Sequence, residues 1–131
     1  MRYEEDIVYV IDPDEAVHDA LTTLLNAAGC RVVCYASAEA FLDSSLVHSA
    51  MRGCVLAEAN LPGMGSLALL RRLQARGVDL PVVILTSTSN RDIADQVLKA
   101  GAAEVIEKPL VHDQLLSRLH CLARRNDDVH G

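Results

Sequence analysis

Gly53-Cys-Val-Leu-Ala-Glu-Ala-Asn-Leu-Pro-Gly-Met-Gly-Ser-Leu67 decides how the rest of the chain is read. The run over 54–57 is apolar and short, as a buried strand is. Glu58 follows it directly, Pro62-Gly63 supplies a turn, and Ser66-Leu67 opens a segment with helical periodicity. Strand, acid, turn and helix in that order form one unit of an open α/β sheet. Such sheets place their ligand crevice at the carboxyl ends of the strands. Glu58 is therefore the first candidate for a functional side chain.

The segments on either side repeat the unit. A β-branched run over 7–11 predicts a strand buried on both faces. A helix over 14–28 follows, with Val17, Leu21, Leu24, Leu25 and Ala28 inward and Gly29 closing it. A second strand spans 31–35, and Ser37 caps a helix reaching to about Val47, with Ala38, Phe41, Leu42 and Leu46 inward. The third helix is expected over 67–76, with Leu67, Leu70 and Leu73 on one face. The fourth strand covers 80–85, followed by a helix from the Asn90 cap to Ala100 that Gly101 stops. A fifth strand over 103–106 breaks at Lys108-Pro109. A last helix runs over about 111–124 with Val111, Leu115, Leu119 and Leu122 as its stripe, and the tail from Asn126 is polar and frayed. Five strands alternating with five helices predict a doubly wound α/β fold, a parallel sheet covered on both faces with right-handed crossovers. The expectation is a single domain over 1–131, with a core of about 6–124 and no output domain.

Composition narrows the function classes. At 131 residues, 50% hydrophobic and 23% charged, the chain suits one globular domain. No apolar run has the length of a membrane span and the start lacks a signal peptide, which places the chain in the cytoplasm with no membrane partner. The net charge of −6 argues against direct DNA binding, which needs a basic face. Cys30, Cys34, Cys54 and Cys121 form no C-x-x-C pair and read as core packing. His18, His48, His112, His120 and His130 are scattered; only His112 and His120 share a helical face, without a third ligand.

Parallel strands share a direction, so the residues after each one gather on one edge. Here these are Asp12-Pro13-Asp14, Glu58, Thr86 and Lys108. Acids, a hydroxyl and an ammonium on one edge form the layout of a phosphoryl-handling site, with carboxylates for Mg²⁺ and the other two for phosphoryl oxygens. Plainer roles exist for each. Lys108 with Asp12 and Glu58 makes a buried ion cluster that needs no metal, and Thr86 terminates a strand. Asn60 is a turn residue, Pro13 suits a first helical turn, and His18 and His112 lie solvated at helix starts.

In Val10-Ile-Asp-Pro-Asp-Glu-Ala-Val17, Ser37-Ala-Glu-Ala-Phe-Leu42, Leu61-Pro-Gly-Met64, Pro81-Val-Val-Ile-Leu-Thr86, Lys99-Ala-Gly-Ala102 and Glu107-Lys-Pro109 the chain resembles a bacterial response-regulator receiver domain of the FixJ type. The resemblance runs from Ile7 to about Leu122. It implies a flavodoxin-like (βα)5 fold, with strand order 2-1-3-4-5. It also implies a phosphorelay, in which a histidine kinase passes a phosphoryl group to an aspartate beside Mg²⁺. Carried over by position, Asp12 is the first acid of the metal-binding pair and Glu58 falls at the phosphoacceptor. Thr86 is the switch hydroxyl with Ser87 beside it, Lys108 is the family's lysine, and the Asn60 carbonyl is a further metal contact.

Six positions depart from the pattern. Pro13 stands where the family has its second metal-binding acid, and it offers neither a side-chain oxygen nor an N–H. Glu58 is one methylene longer than aspartate, which displaces its carboxylate by ~1.5 Å. Val105 replaces the aromatic residue that rotates on activation, Leu110 replaces a Phe, and Gly65-Ser66 stands in reversed order. The expectation is an atypical single-domain response regulator with a weak or absent Mg²⁺ site at Asp12 and Asn60. Glu58 either reaches Lys108 or Thr86 and imitates a phosphoryl charge, or pairs with Lys108 as a static element. A conventional receiver that accepts phosphate on Glu58 is the alternative.

A phosphohydrolase of the haloacid-dehalogenase type is the rival from another class. Asp12-Pro13-Asp14 gives its D-x-D after the first strand, but Ala16 lacks the branched or hydroxyl side chain expected there and no late acidic pair follows. Output through protein contacts points to a sensor histidine kinase or a downstream signalling protein. It also points to a homodimer, through the fourth helix, fifth strand and fifth helix or through the first and fifth helices.

Overall fold

Apolar strands flanked by amphipathic helices bury both faces of a parallel sheet. A computed structural model describes residues 7–44, 53–78, 80–86 and 91–107 of the chain. The strands are β1 (Ile7–Ile11), β2 (Arg31–Tyr35), β3 (Cys54–Glu58), β4 (Val82–Thr86) and β5 (Glu104–Glu107). They form one sheet of order β2-β1-β3-β4-β5, parallel throughout, as expected. The helices are α1 (Glu15–Ala27), α2 (Ala38–Asp43), α3 (Ser66–Ala75) and α4 (Arg91–Lys99). The expected last helix over 111–124, the polar tail and the Asn90 cap lie outside the described residues.

Period-two alternation sends each strand's side chains to two separate cores. Tyr9 and Ile11 of β1 join Val55, Ala57 and Ile84 on one face, under Phe41 of α2, Leu69, Leu70 and Leu73 of α3, and Val97 of α4. Val8 and Val10 join Leu56, Val83 and Leu85 on the other, against Leu21 and Leu25 of α1. Side-chain caps start two helices, at Ser37 as expected and at Asp14, which the sequence expectation puts inside α1. Asp14 accepts from the Ala16 N–H at 2.9 Å, and Ser37 accepts from the Ala40 N–H at 3.0 Å. Gly29 and Gly101 follow α1 and α4 closely, both at positive φ.

Several boundaries differ from the sequence expectation for physical reasons. Helix α2 ends at Asp43 rather than near Val47, because Ser44 turns into extended backbone and its hydroxyl accepts a 2.9 Å bond from Tyr35. Positions 45–47, including Leu46, lie outside the described residues. Helix α3 turns Leu69, Leu70 and Leu73 inward and leaves Leu67 half-buried. Its apolar run is contiguous, so periodicity alone does not fix the phase; burial of Ser66 does. Strand β4 starts at Val82, since Pro81 has no N–H for the ladder, although its carbonyl accepts from Val55 at 2.9 Å. Strand β3 runs one residue further than expected and includes Glu58, while β5 starts one residue later, at Glu104.

The chain has three Tyr, one Phe and no Trp, and three of these rings meet in one place. Phe41 lies 5.6 Å from Tyr9 and 5.3 Å from Tyr35, centroid to centroid, tilted and edge-on respectively. Burial raises the Tyr9 hydroxyl above its ordinary value of 10.0; Tyr35 adds to the rise and Arg31 opposes it. A raised folded value means that the neutral form is held by the native state. This contribution is complete below pH 10.0 and is lost as pH climbs through the folded value. Tyr9→Phe is therefore expected to flatten the alkaline limb of a stability-against-pH curve from urea titrations. Parallel curves for the two proteins would refute this.

Candidate functional site

The candidate site grows out of the sheet register. Ile11 pairs with Ala57 and Glu58 with Leu85, so Asp12, Glu58 and Thr86 end neighbouring strands about 4.8 Å apart. The chain leaves β1 for β2 on one side and returns to β3 on the other, so β1 and β3 flank the switch point where open sheets hold ligands. The buried polar side chains among the described residues are Asp12, Glu58, Ser66 and Thr86, at 4%, 8%, 4% and 5% exposure. Three of them belong to this edge, and Ser66 opens the helix that follows the loop after Glu58. Burial of polar groups costs free energy unless they are bonded, and here that cost is concentrated in one place.

Each carboxylate is held by backbone. The Asp12 N–H donates to the Tyr35 carbonyl at 3.0 Å, which carries β1 pairing one residue past the strand. Asp12 Oδ1 accepts from the Asp14 N–H at 2.8 Å. His18 Nε2 lies 2.6 Å from the Asp12 carbonyl, so that nitrogen carries the hydrogen. His18, expected to be solvated, is half-buried and ties the first turn of α1 to the acid loop. Glu58 Oε2 accepts from the Asn60 N–H at 3.1 Å, folding the carboxylate back over its own loop. That loop is fixed twice more: Ala59 donates to Leu85 O at 2.7 Å, and Ser66 Oγ donates to Ala59 O at 3.1 Å.

Neighbouring positions take other parts. Pro13 is exposed, and Asp14 spends an oxygen on the α1 cap, as its place in the turn implied. Asn60 is exposed in a bend. Val105 lies half-buried in β5 opposite Ile84. Lys108, Ser87 and Leu110 lie outside the described residues, and so does the ion cluster expected around Lys108. Among the described residues, no three His, Cys, Asp or Glu side chains gather in a metal-binding group. Cys54 is buried, and Cys30 and Cys34 pack against the α1-side core. Cys121 is outside the described residues.

Sequence reasoning missed Glu39, which reads as an ordinary first-turn acid of α2. Its Oε2 accepts from the Met64 N–H at 3.0 Å, clamping α2 to the loop after Glu58. A Cβ on Gly63 would stand 2.8 Å from that same oxygen, so the glycine makes room for the clamp. The two partners are far apart in sequence, and no local pattern announces such a contact.

With this geometry established, comparison with known proteins decides the family. The family model of the response regulator receiver domain matches residues 8–120. This chain belongs to that family. It is 39% identical over 102 residues to the transcriptional regulatory protein FixJ of Azorhizobium caulinodans, covering 78% of this chain and 47% of that protein. FixJ of Bradyrhizobium diazoefficiens is 34% identical over 118 residues, covering 90% and 57%. Among solved structures, full-length FixJ from B. japonicum superposes with a TM-score of 0.88 at 31% identity, over 97% of this chain and 62% of that one. A FixJ-N crystal structure gives 0.83 at 27% identity, covering 91% and 94%.

The fold and the family resemblance thus hold as expected, and the chain is the receiver domain of a two-component response regulator. Receivers are signalling domains and are generally not enzymes. This receiver spans about half the length of the curated relatives it matches. Two of those relatives are named transcriptional regulatory proteins, so the acidic charge speaks only for these 131 residues and does not exclude DNA binding by a longer protein. No described helix is long and apolar enough to cross a membrane.

Proposed function

We propose that this receiver works outside the ordinary aspartyl-phosphate cycle, as a fixed protein-contact module in a two-component pathway. The observation that carries the reading is Glu58 at the carboxyl end of β3, 8% exposed and bonded back to the Asn60 N–H. In this reading the residue at the acceptor position is both longer than aspartate and engaged by its own loop. A reacting group misplaced by about 1 Å loses on the order of 10²-fold in rate.

The donor set at the edge is a poor match for Mg²⁺, which demands near-octahedral oxygen ligation. Pro13 brings no side-chain oxygen, and Asp14 is turned to the α1 cap. Asp12, Glu58 and the Asn60 carbonyl remain as candidate ligands, so we assign no metal-dependent step to this receiver. The partner in this reading is a sensor histidine kinase or a downstream protein that recognises one fixed surface.

Incubation with acetyl phosphate and Mg²⁺, followed by a phosphate-affinity gel, tests the proposal. No shifted band is expected from the native sequence, and a shift abolished by Glu58→Ala would overturn the reading. Pro13→Asp combined with Glu58→Asp is expected to raise Mg²⁺-dependent labelling by on the order of 10²-fold.

A further inference from the structure

We infer that the groove between α3 and α4 is a docking site for an acidic segment of a partner protein, separate from the strand-end site. The groove encloses about 530 Å³ and is lined by Leu67, Arg71 and Gln74 of α3 and by Gln96, Lys99 and Ala100 of α4 and its end. One wall carries a guanidinium and the other an ammonium. Both side chains are exposed, and neither forms an ion pair among the described residues. Two cations that face each other across a groove, without an ion-pair partner among the described residues, favour an anionic occupant in a chain whose net charge of −6 leaves few such places.

The walls are pre-set rather than assembled on binding. Gln74 Nε2 donates to the Ala100 carbonyl at 2.8 Å, tying the end of α3 to the end of α4. A Cβ on Gly101 would lie 2.4 Å from that nitrogen, so this glycine lets the two helices be joined. Arg71 offers a planar fork that takes a carboxylate bidentately, whereas Lys99 offers a point charge. Gln96 can both donate and accept, which suits the backbone of an extended or helical segment. Leu67, half-buried on the floor, supplies apolar contact.

Crossover helices run antiparallel to the strands they follow, so Gln74, Lys99 and Ala100 lie toward the sheet edge opposite Glu58. The groove is therefore removed from the strand-end site at that end, while Leu67 at its other end follows Ser66. Its open form and mixed lining favour the side chains of a protein segment over a small enclosed anion.

Fluorescence polarisation of a labelled octaglutamate peptide on the full chain at low ionic strength tests this. Binding that weakens with added salt is expected, and Arg71→Glu or Lys99→Glu should each raise Kd about tenfold or more. Arg31→Glu, at the exposed start of β2, should change Kd less than about twofold, because it alters net charge without touching the groove. Circular dichroism verifies folding, and Arg71→Gln serves if the reversal variants fail to fold. Absence of binding, or equal loss in all variants, overturns the site. Competition by inorganic phosphate at matched charge would overturn the protein-segment occupant in favour of a small anion.

Discussion

Alanine at Gly53 is expected to cost about 4 kcal/mol. Gly53 sits at φ +113, where L-residues are strained, and a Cβ built there meets the Ile7 carbonyl oxygen at 1.9 Å and the Ile7 carbonyl carbon at 2.8 Å. The obstacle is backbone of β1, not a side chain that can swing away. Relief requires β3 to move from β1 at the place where the sheet's central pairing starts, with Val8 opposite Cys54. Urea unfolding should show a lowered midpoint with an unchanged slope. Gly65→Ala is the matched control, because nothing lies within 4 Å of its Cβ and its φ is −78. It should cost no more than about 1 kcal/mol as a weakened cap. If the two variants unfolded at the same urea concentration, the close approach of β1 and β3 at Gly53 would be wrong.

Truncation of Phe41 to alanine is expected to cost about 3–5 kcal/mol. Phe41 is 0% exposed and packs between Tyr9 and Tyr35. Its removal leaves a cavity and forfeits both ring contacts, each worth about 0.5–1.5 kcal/mol beyond area burial. Collapse around the gap is resisted on two sides. Tyr9 is fixed in β1, and Tyr35 is anchored through its hydroxyl to Ser44. Phe41→Leu retains most of the volume and should cost about 1.5 kcal/mol or less. A Phe41→Ala protein as stable as the leucine variant would show that α2 contributes little to the core. Against a typical domain stability of about 5–15 kcal/mol, the alanine loss is a large share of the whole.

The elements most legible in sequence are those set by local chemistry. β1 and β2 fall on the residues expected, because a bounded β-branched run has few alternative readings. The α2 cap at Ser37 follows from a short polar side chain at a helix start. Legibility fails where a distant partner decides. Ser44 leaves α2 early because Tyr35, on a different strand, holds its hydroxyl. Leu67 faces the groove rather than the core because Ser66, bonded to Ala59 O, sets the phase of α3. At the site, the gathering of Asp12, Glu58 and Thr86 was legible because strand ends in a parallel sheet must converge. His18 on the Asp12 carbonyl and Glu39 on Met64 were not. Each depends on how a helix is seated against a loop, which neither spacing nor charge pattern encodes.

The strand order has a consequence for the growing chain. Pairing of β2 with β1 needs the chain only as far as residue 35, but the other edge of β1 waits for β3, which begins at Cys54. Until then the β1–α1–β2 unit presents an apolar strand with unsatisfied backbone groups along one side. Sealing that edge needs a long-range contact and the entropy of closing the intervening loop. The interval between synthesis of β2 and docking of β3 is thus the stage at which this receiver is most exposed to mispairing with another chain. A lesion that delays β3, such as the side chain added at Gly53, lengthens that interval and should lower the yield of soluble protein more than the loss of native stability alone accounts for.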